Sequence, residues 1–187
     1  MSFIDFNNFT KKNNSFGFGR KKPQEFWLKK GQSKEIVFID EAPFVLREHS
    51  VRANDGKFET HQCIGSECPL CDKGNVATAV YCLTVIELRE WTDRTGETHK
   101  ESYQLFKFKQ KAAIELKKIK EKHGRLKGLK IEAKREDTQY AGKSGNKFFY
   151  IEDASNYLEE YSEVDYIEVF EMPSKEKLYQ VASRTAA

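Results

Sequence analysis

The alternation of apolar and polar positions predicts a chain that is mostly strands. KEIVFID, residues 34–40, is β-branched, has polar flanks and reads as a strand that Pro43 ends. FVLREHSVRANDGKFETHQC, 44–63, reads as a hairpin, with Gly56 suited to the left-handed position of a three-residue turn. TAVYCLTVIELREW and ESYQLFKFK are two further strands on either side of the turn TDRTGETHK. QKAAIELKKIKEKHG switches to helical spacing, with Ala113, Ile114, Leu116 and Ile119 on one side and Gly124 at the end. LKIEAKRED and KFFYIED form a second hairpin across TQYAGKSGN. SNYLEEYSEV predicts a short helix, and KLYQVAS a last strand or tail. Residues 1–33 are loop-like.

The first hairpin has a chemical consequence. In its register residue 53 faces 57, so His49 faces His61. Side chains alternate between faces, which puts Cys63 on the face of both imidazoles. The loop CIGSECPLCDKG then returns Cys68 and Cys71, whose Cys-x-x-Cys spacing lets two thiolates converge, and Gly74 lets the chain leave the loop. Three thiolates and one imidazole are the ligand set of a closed, four-coordinate structural zinc site. The fourth ligand is His49 or His61, and hairpin geometry permits either. A thioredoxin-type redox pair is the alternative, but it would open a helix without a third cysteine and upstream histidines. Cys82 sits within a strand and is expected to be a small buried residue.

Composition and motifs narrow the classes. The chain has 187 residues, 33% of them charged, with 14 Phe and 8 Tyr, enough apolar material for a folded core. No apolar run is long enough for a membrane span, and MSFIDFNNF lacks the apolar stretch of a secretory signal. The expected setting is therefore a reducing cytoplasm, in which cysteines ligate metal rather than pair. No Walker loop, nucleophile elbow or dinucleotide fingerprint is present, and the deaminase pattern His-x-Glu with Pro-Cys-x-x-Cys is not matched. No enzyme is expected. The net charge is only +3, but it is unevenly distributed. Ten basic residues fall between Lys107 and Lys130, opposed locally by Glu115 and Glu121 alone. From 151 to 172 eight acidic residues run with Tyr157, Tyr161, Tyr166 and Phe170, and no Lys or Arg intervenes.

EFWLKKGQSKEIVFIDEAPFVLREHSVRANDGKFETHQC, followed by CPLC, resembles the single-stranded DNA-binding, helix-destabilising protein family of T-even phages. The shared order is a Trp-containing strand and an apolar strand, then Ala42-Pro43-Phe44 and a strand ending in His49. A turn at Gly56-Lys57-Phe58 follows, then Cys63, Cys68 and Cys71, and the match is best over about 25–125. The resemblance implies His49 as the fourth zinc ligand, because the family's histidine precedes the turn. It also implies bases stacking on Phe58, Tyr81 and Phe106. Two family features are not matched here: a separate acidic C-terminal tail that docks replication enzymes, and an N-terminal helical segment that drives cooperative growth on DNA.

The expected fold is mainly β with a small α part. It is a five-stranded Greek-key OB barrel carrying an inserted zinc-binding hairpin and loop at about 44–76. The expected organisation is a basic arm at 1–24, a core at 25–180 and a tail at 181–187. Single-strand binding needs cations along the backbone and rings under the bases. The candidate rings are Phe58, Tyr81, Tyr103, Phe106, Phe108 and Phe149, each with core packing as the alternative, and the candidate cations are Lys107, Lys109 and Lys111. The expected function is to coat single-stranded DNA with little sequence preference during phage replication and recombination, in the cytoplasm of the infected bacterium. The expected partners are single-stranded DNA, replication or recombination proteins and further copies of the chain. The alternative is a zinc-stabilised β-module that docks on a replication or transcription enzyme through its acidic, aromatic surface.

Overall fold

The computed structural model describes residues 23–53, 55–138 and 141–184. The arm predicted over 1–24 lies almost wholly outside them. The described chain is mainly β with small helices. Its strands are β1 (Gln24–Glu25), β2 (Ser33–Phe38), β3 (Phe44–Arg52), β4 (Phe58–Gln62), β5 (Thr78–Glu87), β6 (Trp91–Thr92), β7 (Thr98–His99), β8 (Ser102–Phe108), β9 (Leu129–Lys134) and β10 (Lys147–Asp153). The helices are α1 (Pro69–Asp72), α2 (Gln110–His123), α3 (Tyr157–Glu160), α4 (Tyr166–Val169) and α5 (Lys175–Arg184).

Eight strands share one mixed sheet in the order β1-β8-β5-β2-β9-β10, and β3 pairs with both β4 and β5. All contacts in it are antiparallel except the parallel pair β1–β8. The sheet is curled. Phe106 on β8 and Phe148 on β10 lie four strands apart in that order, yet their ring centroids are 6.0 Å apart; a flat sheet would separate the strands by about 19 Å. Phe26 and Leu28 bridge the two ends, since Phe26 N–H donates to Leu105 O and Leu28 N–H to Lys143 O. The curl encloses Phe26, Phe38, Leu83, Phe106, Phe108 and Ile131. α2 closes over them with Ala112 and Leu116 and ends at Gly124 in the left-handed conformation.

Two further layers cover the outer parts of the sheet. Phe44, Leu46, Val80 and Cys82 are capped by Phe170 and the α4 segment, with Phe44 stacked on Tyr166 at 4.9 Å. Cys82 is thus buried, and burial pushes its thiol up to about 12. The opposite face of β3 packs on the cysteine loop and α5.

The two predicted hairpins are present. His49 pairs with His61, and Gly56 takes φ +83° in the turn. β9 and β10 pair with a bulge between Tyr150 and Glu152. Three local expectations change. KLYQVAS is helical within α5, whose Leu178 and Ala182 point inward, so residues 181–184 are helix and not tail. Helix in 155–164 is confined to the single turn α3. Trp91 belongs to a separate small hairpin, β6–β7, where its ring stacks on His99.

Candidate metal centre and nucleic-acid face

The loop after β4 builds a thiolate site from one short helix. Cys68 is the N-cap of α1 and Pro69 its first residue, where the absent N–H costs nothing. The helix lasts one turn. Gly74 N–H then donates to Cys71 O and Asn75 N–H to Leu70 O, with Gly74 at φ +79°. These are the two bonds of a Schellman stop, and only a residue without a Cβ enters that conformation cheaply. Cys68 and Cys71 therefore project from one turn, Cys63 comes from the end of the hairpin, and His49 from β3.

His49, Cys63, Cys68 and Cys71 offer ligand atoms that all lie within 4.8 Å of one another. Cys63 Sγ is 3.6 Å from Cys71 Sγ, and His49 Nε2 is 3.3 Å from Cys68 Sγ and 3.6 Å from Cys71 Sγ. Tetrahedral zinc with ordinary bond lengths has edges of about 3.8 Å between sulfurs and about 3.5 Å between sulfur and nitrogen. The donor set therefore fits one such ion. His49 and Cys68 are fully buried, whereas Cys71 lies at the rim.

The thiols also behave as an incomplete charge set. Burial pushes Cys68 up, but hydrogen bonds from the backbone of Cys71, Ile64 and Leu70 outweigh it and bring the thiol down to about 7. Cys71 moves the other way, to about 11, through burial and the neighbouring Cys63 and Cys68. Three crowded thiolates repel one another unless a cation sits between them.

Asn75 was not foreseen from the sequence. Its Oδ1 lies 3.0 Å from His49 Nδ1, and its Nδ2 donates to Ser50 O. Nδ1 therefore carries the proton and Nε2 presents its lone pair to the cysteines. The signal was the Gly-Asn pair closing the loop, because the Schellman stop sets where Asn75 stands. His61 lies outside the cluster: its Nε2 sits 3.1 Å from Glu59 Oε2. Asn75→Ala should lower zinc affinity about 10–100-fold without removing a ligand. Competition with a chromogenic chelator measures this, and an unchanged affinity would show that the ring needs no such support.

The candidate DNA-contact residues separate into three groups. Phe106 and Phe108 are 0% and 4% exposed and form part of the core, while Tyr103 donates its hydroxyl to Ser162 O and packs beside Tyr161. Core packing replaces base stacking at these three positions, because α2, β10 and the 161–170 segment fold over β8. Lys107 is likewise committed: Nζ lies 2.9 Å from Glu48 Oε1, and that partner holds it above the ordinary lysine value despite burial. Phe58, Tyr81, Phe149, Lys109 and Lys111 remain accessible. They do not form one flat face. Val45 pairs with Tyr81 and Arg52 with Phe58, so alternation along β3 puts Phe58 on the face opposite Tyr81. Phe149 stands beside Glu132 on the far hairpin.

Tyr81 has a different setting. Its ring stacks on Phe108, its hydroxyl donates to Gln110 Oε1 at the start of α2, and Val45, Arg47 and Ala79 share its face. Arg47, Lys109 and Lys111 have no acidic partner among the described residues. Most of the Lys107–Lys130 run does have one. Lys120 pairs with Glu41, Arg125 with Asp153, Lys127 with Glu163, and Lys130 with Glu35 and Glu152. The acidic 151–172 stretch thus supplies partners to the basic run, although no base lies within its own sequence.

No helix among the described residues is long and apolar enough to cross a membrane. Comparison of the chain with protein-family models, with curated proteins and with solved structures found no match.

Proposed function

We propose that this chain binds single-stranded DNA with little sequence preference and holds one structural zinc at His49, Cys63, Cys68 and Cys71. The observation that carries the DNA reading is the part-buried ring of Tyr81, flanked by Arg47, Lys109 and Lys111, cations with no acidic partner among the described residues. A ring for a base beside cations for its phosphates is the minimum unit of single-strand binding.

The sheet supports an OB plan. Five strands run in the order β8-β5-β2-β9-β10, and the helix α2 lies between β8 and β9. In an OB barrel the face of the second and third strands takes the oligonucleotide. Those strands are β5 and β8 here, and Tyr81 lies on β5. The resemblance to the phage helix-destabilising proteins points to the same activity. It also supports a role in replication and recombination in an infected bacterium, where replication or recombination proteins and further copies of the chain are the expected partners.

The zinc has four protein ligands in this proposal, which leaves no position for a reacting water. Its role is to hold the hairpin, the loop and the outer layer together.

Titration with poly(dT), followed by intrinsic fluorescence, tests the DNA reading. Binding should quench the emission and weaken linearly in log[salt]. Replacing Arg47, Lys109 and Lys111 together by Gln should flatten that slope by about 2, at roughly 0.7 per phosphate contact. An unchanged slope would remove the Tyr81 face from the DNA path.

A second reading keeps one observation. Ile167 and Met172 are 63% and 51% exposed among acidic residues, which suits a protein-docking surface. The tyrosines of that stretch are engaged in packing, so its exposed apolar area is small. A titration with no quenching and no salt dependence would favour this reading.

A further inference from the structure

We propose that α5 is a lid that seals the metal centre, so that release of the ion requires α5 to undock. The inference rests on the zinc reading of the four-residue cluster. It adds a control element from a segment more than 100 residues away in sequence from the cysteines.

The packing is specific to the cysteine loop. Leu178 and Ala182 are 0% and 1% exposed and share one apolar cluster with Val51, Cys63, Cys68, Leu70 and Ala77. The principal packing partner of α5 is α1, the single turn that carries the Cys-x-x-Cys pair. Two polar ties of α5 reach residues flanking that pair. Near its start, Lys175 Nζ lies 3.0 Å from Glu67 Oε2, and Glu67 immediately precedes Cys68. Near its end, Lys73 Nζ donates to Ala182 O at 2.6 Å, and Lys73 lies two residues after Cys71.

The elements are too short to stand alone. A helix of one turn has no independent stability, and one of ten residues is marginal. α1 is ordered by the ion on one side and by α5 on the other. α5 in turn has the metal loop as its platform. Linkage then requires reciprocity: the factor by which a bound ion favours docking is the factor by which docking favours the ion. Cys71 lies at the rim but Cys68 and His49 are covered, so exchange of the ion is expected to wait for the loop to open.

The test uses the full zinc-loaded chain and the rate of zinc transfer to a chromogenic chelator. Leu178→Asp places a charge in the contact and should undock α5. It should accelerate transfer by about tenfold or more, within the usual range of coupling between two sites. Tyr179→Ala, on the outer face of the same helix, should leave the rate unchanged. Trypsin sensitivity at 175–184 reports whether α5 has undocked in the variant. Rapid cleavage of α5 together with wild-type zinc release would overturn the lid.

The reciprocal measurement needs no substitution. Stripping zinc from the wild-type chain should remove hydrogen-exchange protection from the α5 amides, while β2 and β5 keep theirs. Protection of α5 that survives zinc removal would also overturn the proposal. A purified chain without stoichiometric zinc defeats the metal reading, and the lid with it; stoichiometric zinc with an uncoupled α5 defeats the lid alone.

Discussion

Replacing His49 by Ala should cost the protein its tight zinc and on the order of 3 kcal/mol or more of stability. The terms are large because the site is buried. Truncation leaves a cavity where a fully buried ring stood, and it strips Asn75 Oδ1 of its donor. Three thiolates then face an open position, and in the proposed zinc site metal binding is coupled to folding of the loop. His61→Ala removes a partly exposed ring whose only polar contact among the described residues is Glu59, so it should change stability by less than about 1 kcal/mol and leave zinc bound. Zinc retention under mild chelator competition and urea midpoints of both variants decide the matter. If His61→Ala lost zinc while His49→Ala kept it, the ligand set drawn from this geometry would be wrong.

The second large effect is a dependence of stability on pH that arises at Asp40. Its side chain is buried between β5 and the acidic segment. Oδ2 accepts from Thr84 N–H and from the Tyr166 hydroxyl, while Oδ1 has no partner among the described residues. Burial raises its pKa from 3.8 to about 7, the nearby Glu163 adds to the rise, and the bonds from Tyr166 and Thr84 reduce it. A carboxyl with a raised folded-state pKa stabilises the fold when protonated. The contribution is complete below the unfolded value and is lost as pH rises through about 7. Between pH 5 and 8 the loss should be about 3 kcal/mol, because each tenfold fall in proton activity between the two pKa values costs about 1.4 kcal/mol. Asp40→Asn keeps the shape without the proton, so its advantage over the wild type should grow by that amount across the same interval. Glu41 and Asp93, whose pKa values are lowered, act in the opposite sense at lower pH and are common to both proteins. Parallel urea curves for the two proteins at pH 5 and pH 8 would mean that Asp40 is ionised in the fold throughout.

Asp40 also shows why part of this molecule was illegible in one dimension. Asp40 reads as the polar end of the strand 34–40, and nothing near it in sequence marks Tyr166 as its partner. The same holds for charge. The basic run from Lys107 to Lys130 looked open because only Glu115 and Glu121 lie within it. The curl of the sheet brings Glu35, Glu41 and Glu48 to it from one side, and Glu152, Asp153 and Glu163 from the other. Local opposition of charge is a property of sequence, whereas pairing depends on which surfaces meet.

The hairpin register, the convergence of His49 with Cys63 and the return of Cys68 and Cys71 were all determined by the sequence alone. Alternation along a strand, the left-handed glycine of a turn and the reach of a Cys-x-x-Cys are short-range constraints that leave few alternatives. The same constraints left His49 and His61 equivalent. Only the path of the chain after Cys71, with its Schellman stop and Asn75, gives one imidazole a partner on its far nitrogen. Phe106 and Phe108 could have lined a surface or a core, because alternation identifies a common face and not what covers it. α2 and β10 decided that by folding over them. KLYQVAS reads as a strand or tail but is a helix, since seven residues hold too few apolar positions to separate a period of two from one of 3.6. Leu178 and Ala182, four residues apart, meet the metal loop on one side of a helix, and that contact, made across the whole length of the core, selected the helix.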